Sequence, residues 1–279
     1  MSYRLGSVNQ RTVLVDEGGD HHDLATLAGD EALVDPLVAL AEPDRLRDLA
    51  AHLGDSTPDG PAEPDLLGPP VRWPRHVFGV GLNYRSHADE SGMAPPPTPL
   101  VFTKFPGCLV GPTADIELRG DTVDFEVELV VVIGPGGRDI AVEDAWGHVA
   151  GLTVGQDISD RTMQFASAPP HFDLGKSRDG YGPIGPVIVA PELVEDPSDL
   201  RLTCSVDGEV RQDDRTSGLI VAVPDLIGYL SGILTLHPGD LIFTGTPAGV
   251  GMADGRFLTP GAVLASEIEG IGRLRNRCR

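Results

Sequence analysis

Glycine and proline set the strongest limit on what this chain can fold into. Its 35 Gly and 25 Pro, together about a fifth of 279 residues, cut almost every apolar run short. Past residue 71 the runs read as brief strands at 76–80, 100–103, 122–133, 150–156, 186–189, 202–212, 240–244 and 262–268. Within 202–212, Asp207-Gly208 sits between CSV and EVRQ, the dipeptide that favours a type I′ hairpin turn. Helical stretches are few: 84–91, 159–166 and 224–235, the last with Leu226, Ile227, Leu230, Ile233 and Leu234 at helical spacing. The expected class is α+β and β-rich. No GxGxxG opens a helix and the strands do not alternate with helices, which excludes a dinucleotide-binding parallel sheet.

The first fifty residues read as two short strands, 3–10 and 11–16, then an acidic helix near 44–52 that Pro43 and Asp44 would start. The stretch 54–70, GDSTPDGPAEPDLLGPP, can propagate neither helix nor ladder, so 1–70 is expected to form a small appendage with its linker and 71–279 the main domain. A net charge of −21 argues against nucleic acid and anionic membrane surfaces as partners. Cys108, Cys204 and Cys278 show no CxxC, so neither a disulfide framework nor a thiolate zinc site is expected. No apolar segment follows a basic start and no run is long enough to span a membrane, which predicts a cytoplasmic protein.

The chemistry concentrates around VDFEVELVVVIG, residues 123–134. On a strand Glu126 and Glu128 share one face, while Phe125, Val127 and Leu129 take the other. A solvated edge would explain an isolated pair of this kind. Leading into VVVIG, however, the two are expected to be at least partly buried, and paired buried anions need a cation or protons to neutralise them, a hard divalent metal being the simplest. Asp157, directly after the apolar GLTVGQ strand, would bring a third carboxylate to a strand end, although a turn or helix cap is its ordinary use. Three carboxylates without Cys or His select Mg²⁺ or a similar oxygen-preferring ion, with coordination positions left for substrate.

If 84–91 is helical, His87 and Glu90 fall at i, i+3, where the carboxylate can orient the imidazole as a general base; a surface pair has the same spacing. The following loop SGMAPPPTP could order over a cleft. Only two of the 21 basic residues are lysines, Lys104 and Lys176, and Lys176 lies between Gly175 and Ser177 where backbone can approach a ligand closely. Thr244-Gly245-Thr246-Pro247, with Gly249 and Gly251, offers N–H groups and a hydroxyl to an anion, without the GK[ST] of a phosphate-binding loop.

Taken in order, GLNYRSHADE, PLVFTKFP, DFEVELVVVIG, GQDISDRTMQ, LGKSRDGYGPIGP, HPGDLIFTGTPAGVG and EIEGIGRLRN resemble the fumarylacetoacetate hydrolase family over about 71–279. The resemblance implies mixed strands rolled, barrel-like, around a central site, a homodimer, a divalent ion (Mg²⁺, Mn²⁺ or Ca²⁺) and a place in aromatic catabolism. It implies Glu126, Glu128 and Asp157 as metal carboxylates and His87 with Glu90 as the dyad on a lid helix. Lys176 would be the active-site lysine, with Arg161, Gln164 and Thr246 facing the substrate. The expected reaction is hydrolysis of a carbon–carbon bond in a 2,4-diketo acid of acylpyruvate or fumarylpyruvate type. The alternative is decarboxylation or isomerisation of a 2-oxo or 2-hydroxy-diene acid, or dehydration of a sugar acid. Asp160, Thr162 and Arg178 depart from the family's commoner residues, and Arg178 is expected to meet a polar or anionic distal group.

Overall fold

The computed structural model describes residues 2–279. The chain enters through β1 (Arg4–Val8) and β2 (Arg11–Val15), which pair across Asn9 and Gln10, both at positive φ (50° and 64°). β3 (Asp20–Asp23) and the helices Leu24–Ala28, Pro36–Leu40 and Pro43–Ala50 follow, and β4 (Gly60–Pro61) returns to β3. The third helix matches the sequence expectation. The first two have five residues each, too few for a helical period to show, and take side-chain caps from Asp23 and Asp35.

Beyond the Pro-rich stretch lie β5 (Val77–Gly81), β6 (Leu100–Thr103), β7 (Leu109–Val110), β8 (Val123–Asp124), β9 (Val127–Ile133), β10 (Val149–Gln156) and β11 (Ser159–Asp160). They continue with β12 (Gly182–Val189), β13 (Arg201–Val206), β14 (Glu209–Arg215), β15 (Leu241–Phe243), β16 (Val263–Ile268) and β17 (Gly272–Arg277). The large sheet runs β4-β3-β2-β1-β12-β10-β9-β15-β5-β6, with β7 attached to β12. It is mixed, parallel at β15/β5 and β12/β7 and antiparallel elsewhere. The β-rich α+β class is as expected, but the sheet stays open from β4 to β6 instead of closing as a barrel. The β4 edge is two residues long and ends in Pro61, which has no N–H to offer a further strand. A second sheet, β14-β13-β16-β17, contains the anticipated hairpin, with Asp207 and Gly208 both at positive φ (51° and 85°).

Both faces of the large sheet are covered, which is why β9 is buried along its whole length. Phe125, Val127, Leu129, Val131 and Ile133 pack toward the second sheet and the helix Val223–Ile233. Val130 and Val132 point the other way, with Ile184, Ile188 and Phe243, onto Leu24, Leu33, Leu40 and Leu46 of the N-terminal segment. The alternation read from the sequence therefore holds. The single strand expected at 122–133 does not: it breaks at Phe125-Glu126, β8 leaving to pair with β11. The helix expected at 159–166 is shortened to Arg161–Gln164, because Ser159 and Asp160 are taken by that pairing and Asp160 caps Met163 N–H at 3.0 Å.

Candidate metal centre and active site

β9 and β15 run antiparallel while β15 and β5 run parallel, so the start of β9 and the ends of β10, β15 and β5 fall at one edge of the sheet. Chain leaving those ends supplies Asp157 after β10, Gly245 and Thr246 after β15, and the helix Arg85–Ser91 after β5. The carboxylates of Glu126, Glu128 and Asp157 meet there, with ligand oxygens within 4.8 Å of one another and all three residues buried. Gly245 closes the site from the β15 side: its N–H donates to Glu128 Oε2 at 2.7 Å. Its φ is +104°, and a Cβ at this position would fall 2.9 Å from Asn83 Cβ and 3.0 Å from Val80 O, so no side chain has room here.

Three buried cations thread the cluster. Lys176 Nζ donates to Glu126 Oε2 (2.7 Å), Asp157 Oδ2 (2.6 Å) and Ser159 Oγ (2.8 Å). Arg161 donates to Asp124 Oδ2 (2.8 Å), Glu126 Oε1 (2.6 Å) and Gln164 Oε1 (2.9 Å). Lys104 Nζ donates to Asp157 Oδ1 (2.7 Å), Tyr181 O (3.0 Å) and Lys176 O. Burial works against the charge on Glu126, but Lys176 and Arg161 outweigh it and hold the carboxyl below the usual range. For Glu128, burial and then the charges of Asp157 and Glu126 push the carboxyl well above that range. Burial also opposes the Lys176 ammonium, yet Asp157 and Glu126 keep it protonated, its pKa raised.

Over the cluster lies a cavity of about 170 Å³ that His87, Glu126, Glu128, Arg161, Gln164, Lys176 and Thr246 all line. His87 Nδ1 is 3.2 Å from Glu90 Oε2, whose Oε1 accepts from Gly249 N–H at 2.9 Å, so the i, i+3 pair is pinned to the glycine loop. Thr246 Oγ1 donates to Val127 O (2.9 Å) and accepts from Gln212 Nε2 (2.8 Å). Every site residue named from the sequence thus reaches this edge. Arg178 does not line the cavity: Nε and Nη2 fork on Asp160 Oδ2 at 3.0 and 2.9 Å, which removes it from the distal-group role expected of it.

Four side chains at the site carried no role in the sequence reading. Lys104 was visible only as one of two lysines. Asp124 shares the parity of Glu126 and Glu128 and grips Arg161 and the N–H groups of Gly251 and Met252. Gln156 Oε1 and Gln212 Oε1 accept from Glu126 N–H and Val127 N–H where the strand breaks, at 2.9 and 3.0 Å. Nothing local marks either glutamine, because each acts across a large sequence separation.

The sequence model described as fumarylacetoacetate (FAA) hydrolase, C-terminal, matches residues 76–279. Human mitochondrial oxaloacetate tautomerase FAHD2B is 41% identical over 212 residues, covering 75% of this chain and 68% of that protein. A Mycobacterium smegmatis protein provisionally called HpcE superposes with a TM-score of 0.91 at 42% identity, covering 99% of this chain and 98% of the other. Maleylpyruvate hydrolase from Sphingobium sp. SYK-6, solved with manganese(II) and pyruvate, gives 0.83 at 27% identity, covering 99% and 98%. With the family's C-terminal model matched over residues 76–279 and a buried acidic trio where these strands end, the chain belongs to the fumarylacetoacetate hydrolase family of enzymes.

Proposed function

We propose that this chain is a divalent-metal-dependent hydrolase that cleaves the carbon–carbon bond of a 2,4-diketo acid of the acylpyruvate or fumarylpyruvate type. The observation that carries the reading is a single cavity lined by Glu126, Glu128, the Lys176 ammonium and the carboxylate-oriented imidazole of His87, with Asp157 completing the carboxylate cluster beside it. The residues fit a hard ion such as Mg²⁺, Mn²⁺ or Ca²⁺: all donors are oxygens, and Glu128 is a buried carboxylate met only by a backbone N–H. Bound by Glu126, Glu128 and Asp157, such an ion would supply Lewis-acid polarisation of the oxo acid.

The chain's own groups divide the remaining work. His87, held by Glu90, takes a proton from water as its oxygen bonds to the distal carbonyl carbon, and returns it to the carbon that leaves. The bond between acyl carbon and methylene carbon breaks, its electron pair passes to the pyruvate half, and a carboxylic acid and pyruvate result. Lys176, fully committed to Glu126, Asp157 and Ser159, keeps positive charge beside the carboxylates where negative charge develops. Phe102 and Phe172 border the cavity and limit water access. The manganese and pyruvate found with maleylpyruvate hydrolase support this reading, pyruvate being the product half of such a substrate.

Keto–enol tautomerisation of oxaloacetate is a second reading, favoured by the 41% identity to a human oxaloacetate tautomerase. The same base would there move a proton between the methylene carbon and the oxo oxygen, with no bond to water. Proton NMR with Mg²⁺ separates them: hydrolysis converts acetylpyruvate to acetate and pyruvate, whereas a tautomerase leaves acetylpyruvate intact and speeds the decay of enol-oxaloacetate. His87→Ala is expected to lower turnover about 100-fold or more while Mn²⁺ affinity stays within about twofold. Full activity after metal stripping would overturn both readings.

A further inference from the structure

The polar half of the cavity has no cation left for a second anionic group. Lys176 has its three N–H groups on Glu126, Asp157 and Ser159, and Arg161 is spread over Asp124, Glu126 and Gln164. Among the described residues that line the cavity, these are the only permanent cations. Four buried carboxylates (Asp124, Glu126, Glu128, Asp157) face three buried cations (Lys104, Arg161, Lys176). Adding a divalent ion leaves one net positive charge, enough for one carboxylate. The opposite wall is apolar: Met93, Leu100, Phe102, Phe165, Phe172 and Met252. Met93, Leu100 and Phe165 keep 49%, 38% and 47% of their surface exposed, so the mouth is apolar as well.

Leu100, Phe102 and Phe172 also border a second hollow of about 470 Å³, lined mainly by apolar residues such as Phe78 and Leu230, with His171 and Asp173 as its titratable members. The rings of Phe102 and Phe172 stand edge to face at 5.6 Å between the two spaces. Apolar surface therefore continues outward from the carboxylate cluster. Arg178, the other cation of this segment, is tied to Asp160. A second carboxylate at this wall would lose its hydration without gaining a partner, and the net charge of −21 adds to its repulsion.

We infer that the substrate end distal to the 2-oxo carboxylate is uncharged and apolar, so that the enzyme takes monoanionic 2-oxo or 2,4-diketo acids with an alkyl or aryl tail over dicarboxylates. This rests on the reading of the cavity as a 2-oxo acid site and narrows its substrate class.

The test is calorimetric binding to the full chain loaded with Mn²⁺, using pyruvate, 2-oxobutanoate, 2-oxopentanoate and the isosteric pair 5-methyl-2-oxohexanoate and 2-oxoglutarate. Affinity is expected to rise about fourfold per added methylene, and the branched monoacid to bind on the order of tenfold or more tightly than 2-oxoglutarate. Met93→Arg, at an exposed position of the wall, is expected to narrow that ratio by about tenfold. Equal or tighter binding of 2-oxoglutarate to the unaltered enzyme, or a ratio unmoved by Met93→Arg, overturns the inference and leaves the 2-oxo acid site standing. Absence of metal-dependent binding by every compound, pyruvate included, overturns that reading and the inference with it.

Discussion

Glu128 differs from its two neighbours in what meets its charge. Glu126 and Asp157 each touch a buried lysine, whereas Glu128 has only the Gly245 N–H. Its carboxyl is raised by burial and by the adjacent anions, so without an ion it holds a proton to higher pH than the unfolded chain's carboxyl at about 4.5. A folded-state value raised in this way contributes stability that is present below the unfolded value and lost as pH rises through the folded one. An ion needs the deprotonated form and supplies the missing charge. The increase in Tm on adding Mn²⁺ is therefore expected to widen as pH rises from about 4.5 through the raised folded-state value; a constant gap in calorimetric melts would contradict the assignment. The shared face of Glu126 and Glu128 was legible in the sequence, and the same parity would have included Asp124. The place of Lys104 beneath Asp157 was not, because the contact spans 53 residues. Lys104→Met should cost about 3–5 kcal/mol in urea unfolding by leaving part of the buried negative charge unpaired.

At the scale of elements, the site depends on an interruption. Periodicity predicted one strand over 122–133, and the core-facing alternation on both sides of Phe125 agrees with it. What the pattern could not show is that Glu126 and Val127 give their N–H groups to glutamine side chains, one from the end of β10 and one from β14 of the second sheet. Gln212 also donates to Thr246 Oγ1 and Pro247 O, so it ties the start of β9 to the chain leaving β15. Hairpin geometry was readable from Asp207-Gly208; the side chain it delivers was not, since Gln212 and Val127 are 85 residues apart. Gln212→Leu keeps the bulk and removes these bonds. It should cost about 1–3 kcal/mol of stability and weaken Mn²⁺ binding about ten- to hundredfold. Unfolding and metal titration of the same preparation check both, and unchanged metal affinity would make the glutamine a purely structural tie.

For the whole molecule, the seven segments that carried the resemblance lie between 71 and 279, and composition alone marked the stretch before them. Strand order was not readable, because neighbours such as β15 and β5 come from distant parts of the chain. The N-terminal segment is bound to the main sheet in two ways. β1 pairs with β12, and Leu5, Leu14, Leu24, Leu33, Leu40 and Leu46 share one core with Val130, Val132, Ile184, Ile188 and Phe243. Tyr3 adds a hydrogen bond from its hydroxyl to Ala150 O at 2.7 Å. Each fully buried leucine contributes about 1.5–3 kcal/mol, a large share of the roughly 5–15 kcal/mol that holds a domain folded. Removing residues 1–70 would strip one face of the sheet and open the β12 edge to other chains. The 71–279 fragment should bind a hydrophobic dye and aggregate, and adding Mn²⁺ should not rescue it, because the metal cluster lies at the end of the sheet and covers none of that face. A monomeric fragment with a cooperative melt within a few degrees of the full chain would show that the leucine layer is dispensable and that 71–279 carries its own complete core.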